Sequence, residues 1–171
     1  AAVHADLRSP HQGLTMNGGE AKNEAEARPG AVLFACTLNA VRSPMAEALA
    51  KHLYGTSMFV DSAGVECGEL DPFVLEVLDE IGYTRKIHHA KSLDDLQDHS
   101  FDLVIALTEE ARATAERVMA NDGVEIELWP VIDPTEAGGA RAQRLAAYRH
   151  LRDDLIGRLK RRFGEAAKPG V

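Results

Sequence analysis

The chain reads as an α/β protein built from parallel strands joined by helical crossovers, and three features of the sequence lead there. Short apolar runs alternate with helical stretches four times between residues 31 and 163. Proline sits where two of those helices begin, preceded by Ser43 and Asp71, both of which suit an N-cap. The last segment carries Leu151, Leu155, Leu159 and Phe163 at intervals of four, which draws one apolar stripe down a helix. Strand followed by helix, repeated, lays strands side by side in parallel with right-handed connections.

The elements follow in order. Residues 1–29 are rich in Ala, Gly, Asn and Glu without apolar periodicity, so they are expected to form a disordered arm. Met16 falls inside it, and residues 1–15 are read as not native to the domain. The predicted body spans 30–164, and 165–171 are read as a flexible tail. Within the body, strands are predicted at 31–35, 58–61, 103–107 and 125–128. Each is followed by a helix, at 44–54, 72–81, 109–119 and 141–163. Residues 82–101 are less regular and are expected to be loop with a short helix capped by Ser92. A body of this size buries roughly two thirds of its unfolded surface, enough for one substantial core.

Composition narrows the function. Hydrophobic residues are 45% and charged residues 27% of the chain, as in globular proteins, and the apolar runs are too short to cross a bilayer. The net charge of −8 is unevenly placed: residues 30–140 hold 7 Lys/Arg against 20 Asp/Glu, whereas 141–163 hold 8 against 2. An acidic body repels nucleic acid and anionic membrane, so neither is expected as a partner. The basic terminal helix is read as a solvated face that complements that body. Two cysteines form no disulfide framework and no signal peptide is legible, which makes a reducing cytoplasm the expected setting.

The open edge of such a sheet collects every strand-to-helix loop, and ligands bind there where strand order reverses. The first of these loops is CTLNAVRS, Cys36 to Ser43, with Cys-x5-Arg spacing ahead of a helix N-terminus. Backbone N–H groups of Thr37, Leu38, Asn39, Ala40, Val41 and Arg42 can converge on an anion, with the helix dipole behind them. Arg42 adds a planar fork that matches two phosphate oxygens. The same positive field favours Cys36 as a thiolate. The loop therefore offers a nucleophile and an oxyanion cradle together. Asp133 and Pro134, in the fourth such loop, reach the same edge from nearly a hundred residues away.

With those residues in place the sequence resembles the low-molecular-weight protein tyrosine phosphatase family, whose fold is shared with one class of arsenate reductases. The likeness runs from about Ala31 to Phe163 and includes "SPMAEAL" after the loop, "DSAG" at 61–64 and "DP" at 71–72. It continues through "HHAKSL" at 88–93, "FDLVIAL" at 101–107 and "DP" at 133–134. The resemblance implies a three-layer, flavodoxin-like fold with a four-stranded parallel sheet in the order 2-1-3-4. It assigns Cys36 as nucleophile, Arg42 as phosphate clamp, Asp133 as general acid and Ser43 as the hydroxyl that bonds the thiolate. Asn39, Ser62 and His88, or His89 if the register slips by one, match a supporting hydrogen-bond network. The implied reaction passes through a cysteinyl phosphate and uses no metal or other cofactor. Its substrate would be a phosphorylated protein or a small phosphomonoester, and inorganic phosphate its product.

Several positions depart from that pattern. Leu38 stands where glycine is common, and Val41 replaces a cysteine that often protects the nucleophile. Ala40 is too small to choose between phosphotyrosine and phosphoarginine. Thr135 replaces a tyrosine that would stack on a phenyl ring, and Thr108 replaces a frequent acidic residue. These changes weaken the case for phosphotyrosine more than the case for phosphate chemistry. Two rivals follow. Trp129 and "AYRHLRDDLIGRL" resemble the arsenate reductases, yet residues 103–120 contain no cysteine, so that reading needs an external thiol. A non-catalytic phosphate-binding regulatory module would keep the cradle without needing Cys36 and Asp133 together. Cys67, after the second strand, shares the sheet edge with Cys36, which motivates a reversible disulfide between them as a hypothesis.

Overall fold

A computed structural model describes residues 28–83 and 89–166. In chain order it holds β1 (Ala31–Cys36), α1 (Arg42–Tyr54), β2 (Phe59–Gly64), α2 (Pro72–Asp79), β3 (Leu103–Ala106), α3 (Glu109–Val118), β4 (Glu125–Leu128), a 3-10 turn (Pro134–Glu136) and α4 (Arg141–Phe163). All four strands are parallel in the order β2-β1-β3-β4, as the resemblance implied. Cys36 stands opposite Gly64, Ala35 opposite Ala106, and Ala106 opposite Leu128. Every strand thus ends at one edge, and the order reverses beside β1.

Alternation along β1 divides the core. Val32, Phe34 and Cys36 join a cluster with Leu49, Tyr148, Leu155 and Leu159 on the side covered by α1, α2 and α4. Leu33 and Ala35 turn to the other side, where Val104 and Ala106 meet α3. Only Ala111 and Ala115 of α3 are buried, and these small side chains let the helix lie close to the sheet. The α4 stripe is buried as its spacing predicts, and each of its leucines contributes about 2 kcal/mol of apolar burial.

Differences from the sequence-based expectation have local causes. Strand β2 runs three residues beyond the predicted end because its pairing with β1 continues to Gly64. Helix α1 starts at Arg42, with Met45 N–H donating to Val41 C=O at 3.1 Å, so Ser43 lies inside it and does not cap it. Asp71 does cap α2, accepting from Phe73 N–H at 2.9 Å. That helix stops at Asp79, two residues early, ahead of Gly82 at φ 75°. No helix follows Ser92. Its hydroxyl donates to Asp95 Oδ2 at 2.8 Å and its C=O accepts from Asp95 N–H at 3.2 Å, which closes a turn instead. Ser92 also bridges to Gly64 at the edge of β2.

Arg28, expected in the arm, is docked: its Nε donates to Phe163 C=O at 2.6 Å and its guanidinium lies 5.0 Å from the centre of the Tyr54 ring. Glu165, expected in the tail, accepts from Arg28 Nη2 at 2.7 Å through its backbone C=O. The rest of the predicted arm, residues 1–27, and residues 167–171 lie outside the described residues. Among the described residues no helix is long and apolar enough to cross a membrane.

Candidate active site

The strand β1 delivers Cys36 to the sheet edge, where it is 1% exposed, and the chain then curls back through residues 37–41 into α1. Asn39 makes that curl possible. It sits at φ 49°, a left-handed conformation that asparagine tolerates better than most residues. Its side chain is wholly buried and bonded at both ends: Nδ2 donates to Ser43 Oγ at 2.9 Å and to Ser62 Oγ at 3.0 Å, and Oδ1 accepts from Lys91 N–H at 3.1 Å.

These bonds orient the group beside the sulfur. Ser43 Oγ lies 2.9 Å from Cys36 Sγ, and Ser43 N–H points at the same sulfur at 3.4 Å. Because Asn39 Nδ2 is donor only, it occupies a lone pair of Ser43 Oγ and leaves the hydroxyl proton free to point at Sγ. A thiolate at that position would receive both donors. The first turn of α1 therefore serves the cysteine, the physical reason Ser43 is buried inside the helix.

The network continues to a residue that sequence reasoning missed. Ser62 Oγ donates to Glu47 Oε1 at 2.7 Å, and the buried Glu47 is paired through Oε2 with Lys51 Nζ at 3.1 Å. Glu47 looked like an ordinary helix residue in "SPMAEAL"; only its position one turn beyond Ser43 hinted at an inward role. Ser62 thus links Asn39 to Glu47 in one hydrogen-bonded network. His88 lies outside the described residues. His89 is exposed, and its C=O accepts from Lys91 Nζ at 3.3 Å.

Close backbone approach locks the loop against β2. Val65 N–H donates to Cys36 C=O and Glu66 N–H to Thr37 C=O, both at 2.9 Å. A Cβ on Gly64 would lie 2.7 Å from Asn39 N and collide with Glu66 C=O, so only glycine fits there. On the other flank, Thr37 Oγ1 meets the Thr108 hydroxyl at 3.3 Å, and Thr108 also caps α3 by accepting from Ala111 N–H. Thr37 Oγ1 also donates to Glu110 Oε2 at 3.4 Å, so Thr108 and the carboxylate two residues later support the loop together.

The loop opens into a cavity of about 370 Å³ lined by Cys36, Thr37, Leu38, Ala40, Val41 and Arg42, by 69–72, and by Asp133 and Thr135. The predicted loop residues and Asp133 thus share one pocket, apart from Asn39, which braces it from behind. Arg42 Nη2 lies 3.8 Å from Asp133 Oδ2. Thr135 holds the other oxygen: its N–H and hydroxyl donate to Asp133 Oδ1 at 3.0 and 2.7 Å. The threonine that removed an aromatic wall is thus a tether for the carboxylate. Asp71 is fixed in turn by Tyr148 of α4, whose hydroxyl donates to Oδ2 at 2.6 Å. Burial, and then that bond, raises the Tyr148 phenol above the ordinary tyrosine range.

Cys36 and Cys67 are both free thiols, and the exposed Cys67 lies outside the pocket lining. Among the described residues no group of three His, Cys, Asp or Glu side chains is placed to hold a metal ion.

Sheet order and pocket together define a class: α/β proteins that hold a cysteine sulfur at the end of the first strand, in a pocket shared with the arginine that opens the next helix and an aspartate from the loop after the fourth strand. The chain belongs to the low molecular weight phosphotyrosine protein phosphatase family, whose model matches residues 31–161. Its relatives differ in activity. It is 32% identical to an arsenate reductase of Bacillus subtilis, over 80% of this chain and 96% of that protein. A low molecular weight protein tyrosine phosphatase from B. subtilis matches in structure with a TM-score of 0.63 and 28% identity, covering 76% of this chain and 92% of that one. A mutant of the YwlE arginine phosphatase with a phosphorylated active-site serine matches with a TM-score of 0.61 and 29% identity, over 76% of this chain and 91% of that one.

Proposed function

We propose that this protein is a cysteine-dependent phosphatase of phosphomonoesters that works through a cysteinyl-phosphate intermediate. The observation that carries this reading is the pocket in which Cys36 Sγ, braced by Ser43 at 2.9 Å, shares walls with Arg42 and Asp133. The Cys36 thiolate attacks phosphorus in line while loop N–H groups and the Arg42 guanidinium hold the three equatorial oxygens. Arg42 leaves its 3.8 Å contact with Asp133 to do so, which frees that carboxyl to protonate the leaving oxygen. Water then attacks the sulfur-bound phosphorus and gives its proton to Asp133. Inorganic phosphate departs and the sulfur, assisted by the Ser43 hydroxyl, leaves as thiolate. The balance requires no external electrons, and a reducing cytoplasm suits a mechanism that needs Cys36 as a free thiol.

The arsenate reductase relatives favour a second reading, in which the same sulfur attacks arsenic. That chemistry consumes two electrons, and with no cysteine in residues 103–120 an external thiol would have to supply them. A parallel assay separates the two: phosphate release from p-nitrophenyl phosphate without added metal, against arsenite formation with glutathione as the thiol. Phosphate release that is abolished in Cys36→Ser and reduced about 100-fold or more in Asp133→Ala supports the phosphatase. Wild-type turnover in Cys36→Ser would refute the nucleophile assignment.

A further inference from the structure

The pocket floor is built for a phosphoryl group, but its wall is acidic. Beyond Cys36 and Arg42, which face the phosphate, the ionisable side chains among the described residues lining the cavity are Glu69, Asp71 and Asp133. They are not equivalent. Asp71 is used up in accepting from Tyr148 Oη at 2.6 Å and Phe73 N–H at 2.9 Å. Asp133 is held by Thr135 and faces Arg42. Glu69 alone is exposed and makes no hydrogen bond or ion pair with another described residue. Its neighbours on the wall, Leu38 and Leu70, are apolar, and among the described residues no aromatic ring lines the cavity.

A dianionic phosphate entering this mouth gains at the floor and is repelled at the wall. A substrate whose leaving group carries a positive charge turns that repulsion into attraction, and Glu69 is the carboxylate free to meet it. We propose that Glu69 is a specificity-determining residue that selects phosphoryl substrates with a cationic leaving group over neutral or anionic ones. This rests on the phosphatase reading given above. The preferred class is a phosphoryl group carried by an amine- or guanidine-bearing moiety. Among the described residues the pocket has no aromatic wall that would reward a bare phenyl ring.

Three phenyl phosphates that differ only at the para position test it: aminomethyl, methyl and carboxymethyl. Phosphate release gives kcat/KM for each at neutral pH and low salt, with p-nitrophenyl phosphate as the activity reference. The readout is the ratio between substrates measured within one protein, so a general loss of activity cancels. Wild type is expected to prefer aminomethyl over methyl by about three- to fivefold, the scale of one solvent-exposed charge pair, and to disfavour carboxymethyl by a similar factor. Glu69→Gln should bring the aminomethyl-to-methyl ratio close to one, and Glu69→Lys should invert the order of the charged pair. The preference should also shrink as salt is raised, because an exposed pair is screened. Unchanged ratios in both variants, or a wild-type preference for carboxymethyl, overturn the proposal while leaving the phosphatase reading standing. A protein that hydrolyses none of these substrates, p-nitrophenyl phosphate included, overturns both.

Discussion

Replacing Asn39 by alanine tests whether the loop after Cys36 is held by side-chain hydrogen bonds or by its backbone alone. The substitution removes three bonds, to Ser43 at 2.9 Å, to Ser62 at 3.0 Å and from Lys91 N–H at 3.1 Å, all at a residue with no solvent exposure. Water cannot enter readily to replace them, so each costs about 1 kcal/mol. Alanine at φ 49° adds about 1 kcal/mol of left-handed strain that asparagine bears better. The total is about 4 kcal/mol, and at about 3 °C per kcal/mol for a body of this size the melting temperature falls by roughly 12 °C. Thermal unfolding followed by circular dichroism reads this directly. Activity falls as well, because the Ser43 hydroxyl loses the donor that aims it at sulfur and can turn to Ala63 C=O, 3.4 Å away. A loss of about ten- to a hundredfold in kcat is expected. Since Ser62 shares the network, the double variant Asn39→Ala/Ser62→Ala should be destabilised by less than the sum of its parts. A melting temperature within about 3 °C of wild type, or strictly additive losses, would refute the reasoning.

Other expectations follow from the same geometry. Gly64→Ala places a Cβ 2.7 Å from Asn39 N and against Glu66 C=O, so it should cost about 3 kcal/mol or more and lower soluble yield, as measured by urea unfolding. Thr135→Val removes the 2.7 Å bond to Asp133 Oδ1; it should slow phenyl phosphate, which needs a proton donor, several times more than p-nitrophenyl phosphate. Tyr148→Phe breaks the 2.6 Å bond to Asp71, for a loss of about 2 kcal/mol near neutral pH. The folded state raises the Tyr148 phenol, so that stabilisation is fully present below about pH 10 and is lost as pH climbs through the raised folded value. The Phe variant should therefore show a shallower fall of stability on the alkaline side, read from unfolding at stepped pH.

Much of this molecule is written locally. Alternating apolar runs and helical stripes set the order of the elements, and β4 and α4 occur at their predicted bounds. Asp71 before Pro72 is a cap by its own chemistry, and it acts as one. The loop from Cys36 to Arg42 was legible because the Cys-x5-Arg spacing and the helix start behind it fall within a few consecutive residues. Ser43 was half legible. Its closeness to the sulfur followed from the resemblance, whereas turn chemistry alone made it a cap, since Ser-Pro looks the same in sequence whether the hydroxyl faces the helix start or a neighbouring sulfur.

What the tertiary structure decided lies between elements. Strand order and register bring Ser62 of β2 beneath Asn39 and Glu47, set Gly64 so close to the loop that a side chain is excluded, and place the Lys91 amide on Asn39 Oδ1. Tyr148 reaches Asp71 across 77 residues, and Arg28 docks on the far end of α4. Helix and strand periods report only which way a side chain points from its own backbone. Which group it meets there depends on how the parallel crossovers stack the strands, and no stretch of sequence contains that information by itself.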